Sequence, residues 1–144
     1  FVRVLDWGGE TLTGAIEEAL GVEHAQGEAI KHSLSLLPTS SSSEAETDSK
    51  AHDAVRRKLE SLARELVSSL EFYQAQPTAL PIAEVMLTGG TSEIPGLDDE
   101  LQRLTGVRVR IADPFTRVAG GRDAFGDGAP GALTVPIGLG IEDR

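Results

Sequence analysis

Cysteine is missing from the 144-residue chain, which excludes a disulfide framework and any thiolate metal site. That absence fits a cytoplasmic protein. Long apolar runs are missing too, all falling well short of the roughly 20 residues a membrane span requires. No secretory leader pattern is visible: the first residue is Phe1, and polar residues follow at once. Positive charge is scarce, with 13 Lys and Arg against 23 Asp and Glu and a net charge of −10. A phosphate backbone needs a positive surface, so nucleic-acid binding is not expected. The acidity reads most simply as a solvated surface and more sharply as affinity for a basic partner.

What remains is the composition of an ordinary globular domain, 40% hydrophobic and 25% charged, and the length of about one domain. Phe1 to Leu5 alternate as a strand does, with Val2 and Val4 on one face and Arg3 on the other. A chain that opens inside a strand reads as a fragment of something longer, with the strand at an edge. Gly8-Gly9 breaks the alternation, and Leu12, Ile16, Ala19 and Leu20 then recur at helical spacing up to Gly21. Thr11 and Thr13 are candidate caps. A second helix is expected from His24 to Leu37, with Ala25, Ala29 and Ile30 on or near its buried side, stopped by Pro38. The Ser-rich stretch after it has nothing apolar to bury and reads as a loop.

The strongest helical signal is Val55, Leu59, Leu62, Leu66, Leu70 and Tyr73, broadened by Ala51, Ala63 and Val67 into a core-facing stripe. Ser43-Glu44-Ala45-Glu46 offers a capping box for its start, and Asp48 an equally good cap. Gln76-Pro77 closes it. Ile82 to Thr88 reads as a short buried strand, and Leu97, Leu101 and Leu104 as a helix closed by Gly106. Val107 to Ile111 alternates as a strand with one buried face. Asp113-Pro114-Phe115 opens a Gly-rich loop to about Gly131, and Leu133 to Ile141 forms a last helix with Pro136 in its first turn. Strands alternating with helices predict an α/β domain with a largely parallel sheet.

Three constellations carry candidate chemistry. Gly89-Gly90-Thr91-Ser92 follows a strand and precedes a helix near Pro95, a place where a ligand can approach the backbone; it reads equally as a tight turn. Glu28 and Lys31 lie three apart on one helix face, suited to ribose hydroxyls beside a purine or simply to an exposed ion pair. Gly8-Gly9 leads into a helix, and packing alone accounts for that pair. Asp6, Asp113, Asp123 and Asp127 are the loop carboxylates available to an enzyme, and solvation accounts for each. His24, His32 and His52 have no spacing for a metal site or a triad, so no catalytic or metal-ligating residue is nominated.

Taken together these segments resemble the superfamily of actin, the heat-shock chaperone ATPases and sugar kinases, and within it the PilM family of type IV pilus assembly proteins. The resemblance rests on Val85 to Leu97, with its hydrophobic strand, Gly89-Gly90 and Pro95. It also rests on Arg3, Gly8, Gly9 and Thr13 in order, on Gly27-Glu28-Ala29-Ile30-Lys31, and on the helix Leu62 to Tyr73. Val107 to Phe115 and the terminal Gly138-Leu139-Gly140 complete it. Gly140 stands where the family usually has Ala, and the loop from Gly120 to Gly131 has no counterpart.

The resemblance implies an actin-like, ribonuclease H-like ATPase domain fragment with an inserted helical subdomain. Residues 1–20 would start the second lobe, 21–76 would form the insertion with its Ser-rich loop at 39–47, and 77–144 would complete the lobe. ATP with Mg²⁺ is the implied cofactor, met by Glu28, Lys31, Gly89, Gly90, Thr91 and Ser92 on its adenosine side. Glu93 stands where related proteins often place an Arg. The Asp-Gly phosphate loops of the superfamily are absent from these residues, so weak or no ATP binding is expected of the fragment alone. The implied role is a cytoplasmic scaffold, peripheral to the inner membrane through the amino-terminal tail of a PilN-like partner, without rapid turnover. A homodimer is a further expectation, through an unpaired sheet edge. A sugar or metabolite kinase fragment and an FtsA-like cell-division relative are the alternatives.

Overall fold

Leu12, Ala15 and Ile16 fall on one side of a helix, and that side is where α1 (Gly9–Leu20) is buried. Leu12 and Ile16 have no exposed surface, and full burial of such a side chain stabilises by roughly 1.5–3 kcal/mol. The computed structural model describes residues 1–37, 46–117 and 133–140. Gly21 ends α1 by donating its N–H to the Glu17 carbonyl at 2.8 Å. α2 (His24–Ser33) then folds back on α1, and Gly27 lets it come close, since a Cβ there would lie 2.9 Å from Glu17 Cγ.

α3 (Glu46–Gln74) is the 29-residue helix the apolar stripe predicts. Its first two-thirds bury Ala51, Ala54, Val55, Leu59, Leu62 and Ala63, packing against α1 and α4 (Leu97–Thr105). Burial fades toward its end, where Phe72 is exposed and its ring stands 5.5 Å from that of Phe1. β1 (Val85–Leu87) and β2 (Val109–Ile111) pair in parallel, Val85 opposite Val109 and Leu87 opposite Ile111, with α4 as the connection. Ile94, Leu97, Leu101 and Val109 carry this unit into the same core as Leu12 and Leu59. A 3₁₀ turn at Pro114–Arg117 and α5 (Thr134–Gly140) follow, and α5 is tied to the end of β1 by a 2.6 Å bond between the Thr88 and Thr134 hydroxyls.

One crossing fixes the geometry used below. Gly96 has φ +82°, and a Cβ on it would sit 2.8 Å from the Leu37 nitrogen and 2.9 Å from the Leu36 carbonyl carbon. Beside it the Leu36 N–H donates to the Pro95 carbonyl at 2.7 Å. Only glycine meets both the backbone angle and the close approach. The segment leaving α2 is thereby clamped to the start of α4.

The parallel α/β arrangement agrees with expectation, and several local details do not. Phe1 to Leu5 pair with no strand among the described residues, and Val2 and Val4 are about 90% exposed. α2 stops at Ser33, because Leu34 and Leu36 enter the core from an extended segment that helical spacing would not deliver. Ala25 and Ala29 are exposed; the buried residues of α2 are Gly27 and Lys31. Asp48 lies inside the first turn of α3 and not at the position before it, while Ser43 lies outside the described residues. β1 is three residues long, not seven, and α5 begins at Thr134. The Gly-rich stretch 118–132 and the serines at 40–43 are outside the described residues.

Candidate functional site

The N-terminal turn of α1, the middle of α2 and the turn after β1 meet at one place. The turn after β1 is a 3₁₀ segment, Gly90–Glu93, and not yet the α4 helix that sequence spacing placed next. Gly89 begins it with φ +101°, an angle that strains any residue bearing a Cβ. Ser92 is buried, its N–H and its hydroxyl both donating to the Gly89 carbonyl, at 3.1 and 2.7 Å. Ser92 therefore holds the turn together and presents its backbone neighbours outward. A Cβ at Gly89 or Gly90 would meet no atom within 4 Å, so the main chain is open on that side.

Across from this turn, Lys31 is 8% exposed, unusual for a lysine. Its ammonium donates to Glu28 Oε2 at 2.6 Å, to the Thr13 hydroxyl at 3.0 Å and to the Gly9 carbonyl at 3.4 Å. All three of its protons are thus committed to the protein. Thr13, with no exposed surface, also lies 2.6 Å from Glu28 Oε2 and 3.0 Å from the Gly9 carbonyl. The Lys31 and Thr13 hydrogen bonds hold the Glu28 carboxyl down to about 2, against an ordinary 4.5. Glu28 is therefore an anion throughout the physiological range, and its other oxygen, Oε1, stands 3.2 Å from His32 Nε2. The exposed ion pair suggested by the three-residue spacing is in fact a half-buried network spanning two helices.

Gly9 is the contact between the two halves. A Cβ on Gly9 would lie 2.9 Å from Thr91 Oγ1 and 3.1 Å from Lys31 Nζ, so this glycine is where α1 touches both. Between the halves is a cavity of about 350 Å³ lined by Glu28, Lys31, His32, Gly90, Thr91, Glu93 and Ile94. That volume is at the low end of the roughly 300–1,000 Å³ found for small-molecule sites, the size of one compact moiety. Of the six residues singled out from sequence, Glu28, Lys31, Gly90 and Thr91 line it, while Gly89 and Ser92 shape the turn behind it. Sequence reasoning missed His32, Ile94 and the structural part played by Thr13. Thr13 had a signal: a hydroxyl between Leu12 and Ile16 on the buried stripe of α1, one turn from Gly9, needs polar partners inside.

The walls suit a ligand with hydroxyl or amino donors. Glu28 supplies a permanent acceptor, Gly90 an approachable backbone, and Ile94 an apolar surface for a ring. With Glu93 on the same wall and the Lys31 charge already neutralised by Glu28, the cavity is a poor place for a phosphate. Among the described residues no group of acidic or histidine side chains is arranged to hold a metal ion. Of the loop carboxylates nominated from sequence, Asp113 accepts the Phe115 N–H at 2.9 Å and so caps the 3₁₀ turn, Asp6 is exposed, and Asp123 and Asp127 lie outside the described residues.

Comparison with known proteins places this arrangement. The family model described as type IV pilus assembly protein PilM matches residues 1–125. Among solved structures, a chain of a PilM-PilN type IV pilus biogenesis complex superposes with a TM-score of 0.71 at 28% identity, over 95% of the present chain. The ethanolamine utilization protein EutJ from Carboxydothermus hydrogenoformans gives a TM-score of 0.57 at 19% identity over 92% of it, a likeness of fold alone. The present chain spans 37% and 36% of the lengths of those two chains. A search of curated proteins returned no match. Both neighbours have the actin-like ATPase fold, and so does this chain.

Proposed function

The chain belongs to the PilM family of type IV pilus assembly proteins, and from that premise we propose that its cavity is the nucleoside side of an ATP site. The observation that carries the reading is the convergence of the Glu28–Lys31 pair and the Gly89-Gly90-Thr91 turn on a single cavity at the end of a parallel strand. Ligands of open α/β sheets enter at that end of the strands. In this reading Glu28 accepts from ribose hydroxyls and Gly90 lets the sugar approach the main chain. Ile94 would give the base an apolar wall, and Thr91 would line the same side of the cavity as Gly90. Ser92 and Gly89 fix the turn. Lys31, its protons already used, holds Glu28 in place and does not itself reach the ligand. The residues present fit a nucleoside better than a triphosphate, so the phosphates and Mg²⁺ would be held by other parts of the full-length protein. When bound, ATP would be a ligand shared between those parts and this one, its nucleoside held here.

The role that follows is a scaffold switched by nucleotide. Binding would favour a closed state over an open one, and the shift is limited by how much better the closed state binds. The structural neighbour is a complex of PilM with PilN, and we place this chain in the same kind of assembly. It would work on the cytoplasmic side of the inner membrane, engaging the amino-terminal tail of a PilN-like protein. No helix among the described residues is long and apolar enough to cross a membrane, so attachment would run through the partner. Calorimetry of ATP binding to full-length protein, wild type against Glu28→Ala, tests the reading. Loss of a charge-assisted acceptor predicts a drop in affinity of about tenfold or more. Equal affinity would overturn it.

A further inference from the structure

We propose that Thr13 is the positioning residue of the nucleoside cavity, its buried hydroxyl fixing the Glu28 carboxylate for recognition of the sugar; this rests on the nucleoside reading above. The hydroxyl has three neighbours within bonding distance and a single proton. Glu28 Oε2 at 2.6 Å competes for that proton with the Gly9 carbonyl at 3.0 Å. The charged acceptor wins, because hydrogen bonds to an ionised group are shorter and stronger. The hydroxyl's lone pair then accepts the Lys31 ammonium at 3.0 Å. Thr13, Lys31 and Glu28 Oε2 thus form a closed triangle in which each pair is bonded.

The consequence is directional. Oε2 is committed twice, to Thr13 and to Lys31, and cannot turn away without breaking both bonds. Oε1 is left on the side of His32, itself a wall of the cavity. Lys31 adds a second bond to the same oxygen, but an ammonium is a point charge that sets no direction of its own. Thr13 is β-branched, held in a helix and wholly buried, so its hydroxyl is a fixed reference. It also spans elements, joining α1 to α2 at a sequence separation of 15. Thr13 does not line the cavity, so any influence on the ligand must pass through Glu28. The charged and titratable groups around that carboxylate are Lys31 and His32 on α2, and Glu93 on the turn across the cavity. Glu17 on α1 is turned instead toward His24.

The test uses full-length protein with Thr13→Val, which keeps the shape and removes the hydroxyl, and Thr13→Ser, which restores it. Two measurements are made: the Glu28 side-chain carboxyl followed by carbon-detected NMR between pH 6 and 3, and adenosine affinity by calorimetry at pH 7. In wild type the Glu28 signal should stay flat to pH 3. With Thr13→Val its midpoint should rise by roughly one unit and begin to titrate, and adenosine should bind about 5–10-fold more weakly. Thr13→Ser should return both to within about twofold of wild type. A flat Glu28 titration in Thr13→Val, unchanged adenosine affinity there, or failure of Thr13→Ser to restore either would overturn the proposal. Wild-type protein that binds no adenosine would overturn the nucleoside reading itself, and this role with it. Should Thr13→Val not fold, Thr13→Ala takes its place in both measurements.

Discussion

Removing either partner of the Glu28–Lys31 pair breaks the same 2.6 Å contact, yet the two losses should differ in size. With Glu28→Ala the Lys31 ammonium stays where it is, with a side chain only 10% exposed, and keeps two neutral acceptors, Thr13 and Gly9. A fully buried charge orphaned in this way costs about 3–5 kcal/mol. Here the adjoining cavity admits water, so about 2 kcal/mol is the expected cost. With Lys31→Met the orphan is Glu28, whose side chain is 35% exposed and which keeps its Thr13 bond. Met fills much of the lysine stem's volume, and a rehydrated carboxylate limits the cost to under about 1 kcal/mol. Urea unfolding followed through Trp7, the only tryptophan, reads the difference. Its indole N–H is buried in the folded chain, so unfolding changes its surroundings. For a slope of about 1–2 kcal/mol per molar urea, Glu28→Ala should lower the midpoint by about 1–2 M and Lys31→Met by clearly less. Equal shifts, or a larger one for Lys31→Met, would refute the assignment of Lys31 as the buried member.

Gly96→Ala should destabilise by at least about 2 kcal/mol in the same assay, since φ +82° and backbone atoms within 3 Å oppose any Cβ; a loss below 0.5 kcal/mol, on the order of a surface change, would contradict the clamp. Leu59→Ala, at the centre of the α3 stripe with no exposed surface, should cost about 2–5 kcal/mol. The pH dependence follows from the depressed Glu28 pKa. Its stabilisation is fully present above the ordinary value of 4.5 and is lost as pH falls from there through about 2. Solvent screening leaves that contribution near about 1 kcal/mol, and Glu28→Gln should remove this part of the acid sensitivity when midpoints are compared at pH 6 and pH 3. Gly9→Ala should disturb nucleotide affinity more than stability, because the atoms its Cβ meets, Thr91 Oγ1 and Lys31 Nζ, are ends of side chains at the cavity; unchanged affinity beside a large loss of stability would contradict this.

Much of the architecture was legible because the signals were redundant. The α3 stripe repeats over about five turns from Val55 to Tyr73, and α4 has both an apolar periodicity and Gly106 to end it. Where a single cue had to serve, it misled. Residues 34–37 continue a weak helical pattern, but Leu34 and Leu36 alternate, and the core takes them from an extended chain. The alternation at Phe1 to Leu5 is equally real as a pattern, and without a partner strand among the described residues it makes no ladder. At the site, the i, i+3 spacing correctly made Glu28 and Lys31 neighbours. Their burial depends on α1 crossing α2 at Gly27 and on Gly9 meeting Thr91, the latter 82 positions away in sequence number, and no local pattern encodes either approach. For the same reason Ser92, next to the cavity-lining Thr91, turned out to point inward to Gly89.

The claim that this cavity receives the nucleoside is tested most directly by photolabelling the full-length protein with 8-azido-ATP and mapping the modified peptides by mass spectrometry. Label competed by ATP and confined to peptides carrying Glu28 to His32 and Gly90 to Ile94 is the predicted result. Competable label elsewhere, with those two segments unmodified, would contradict the account.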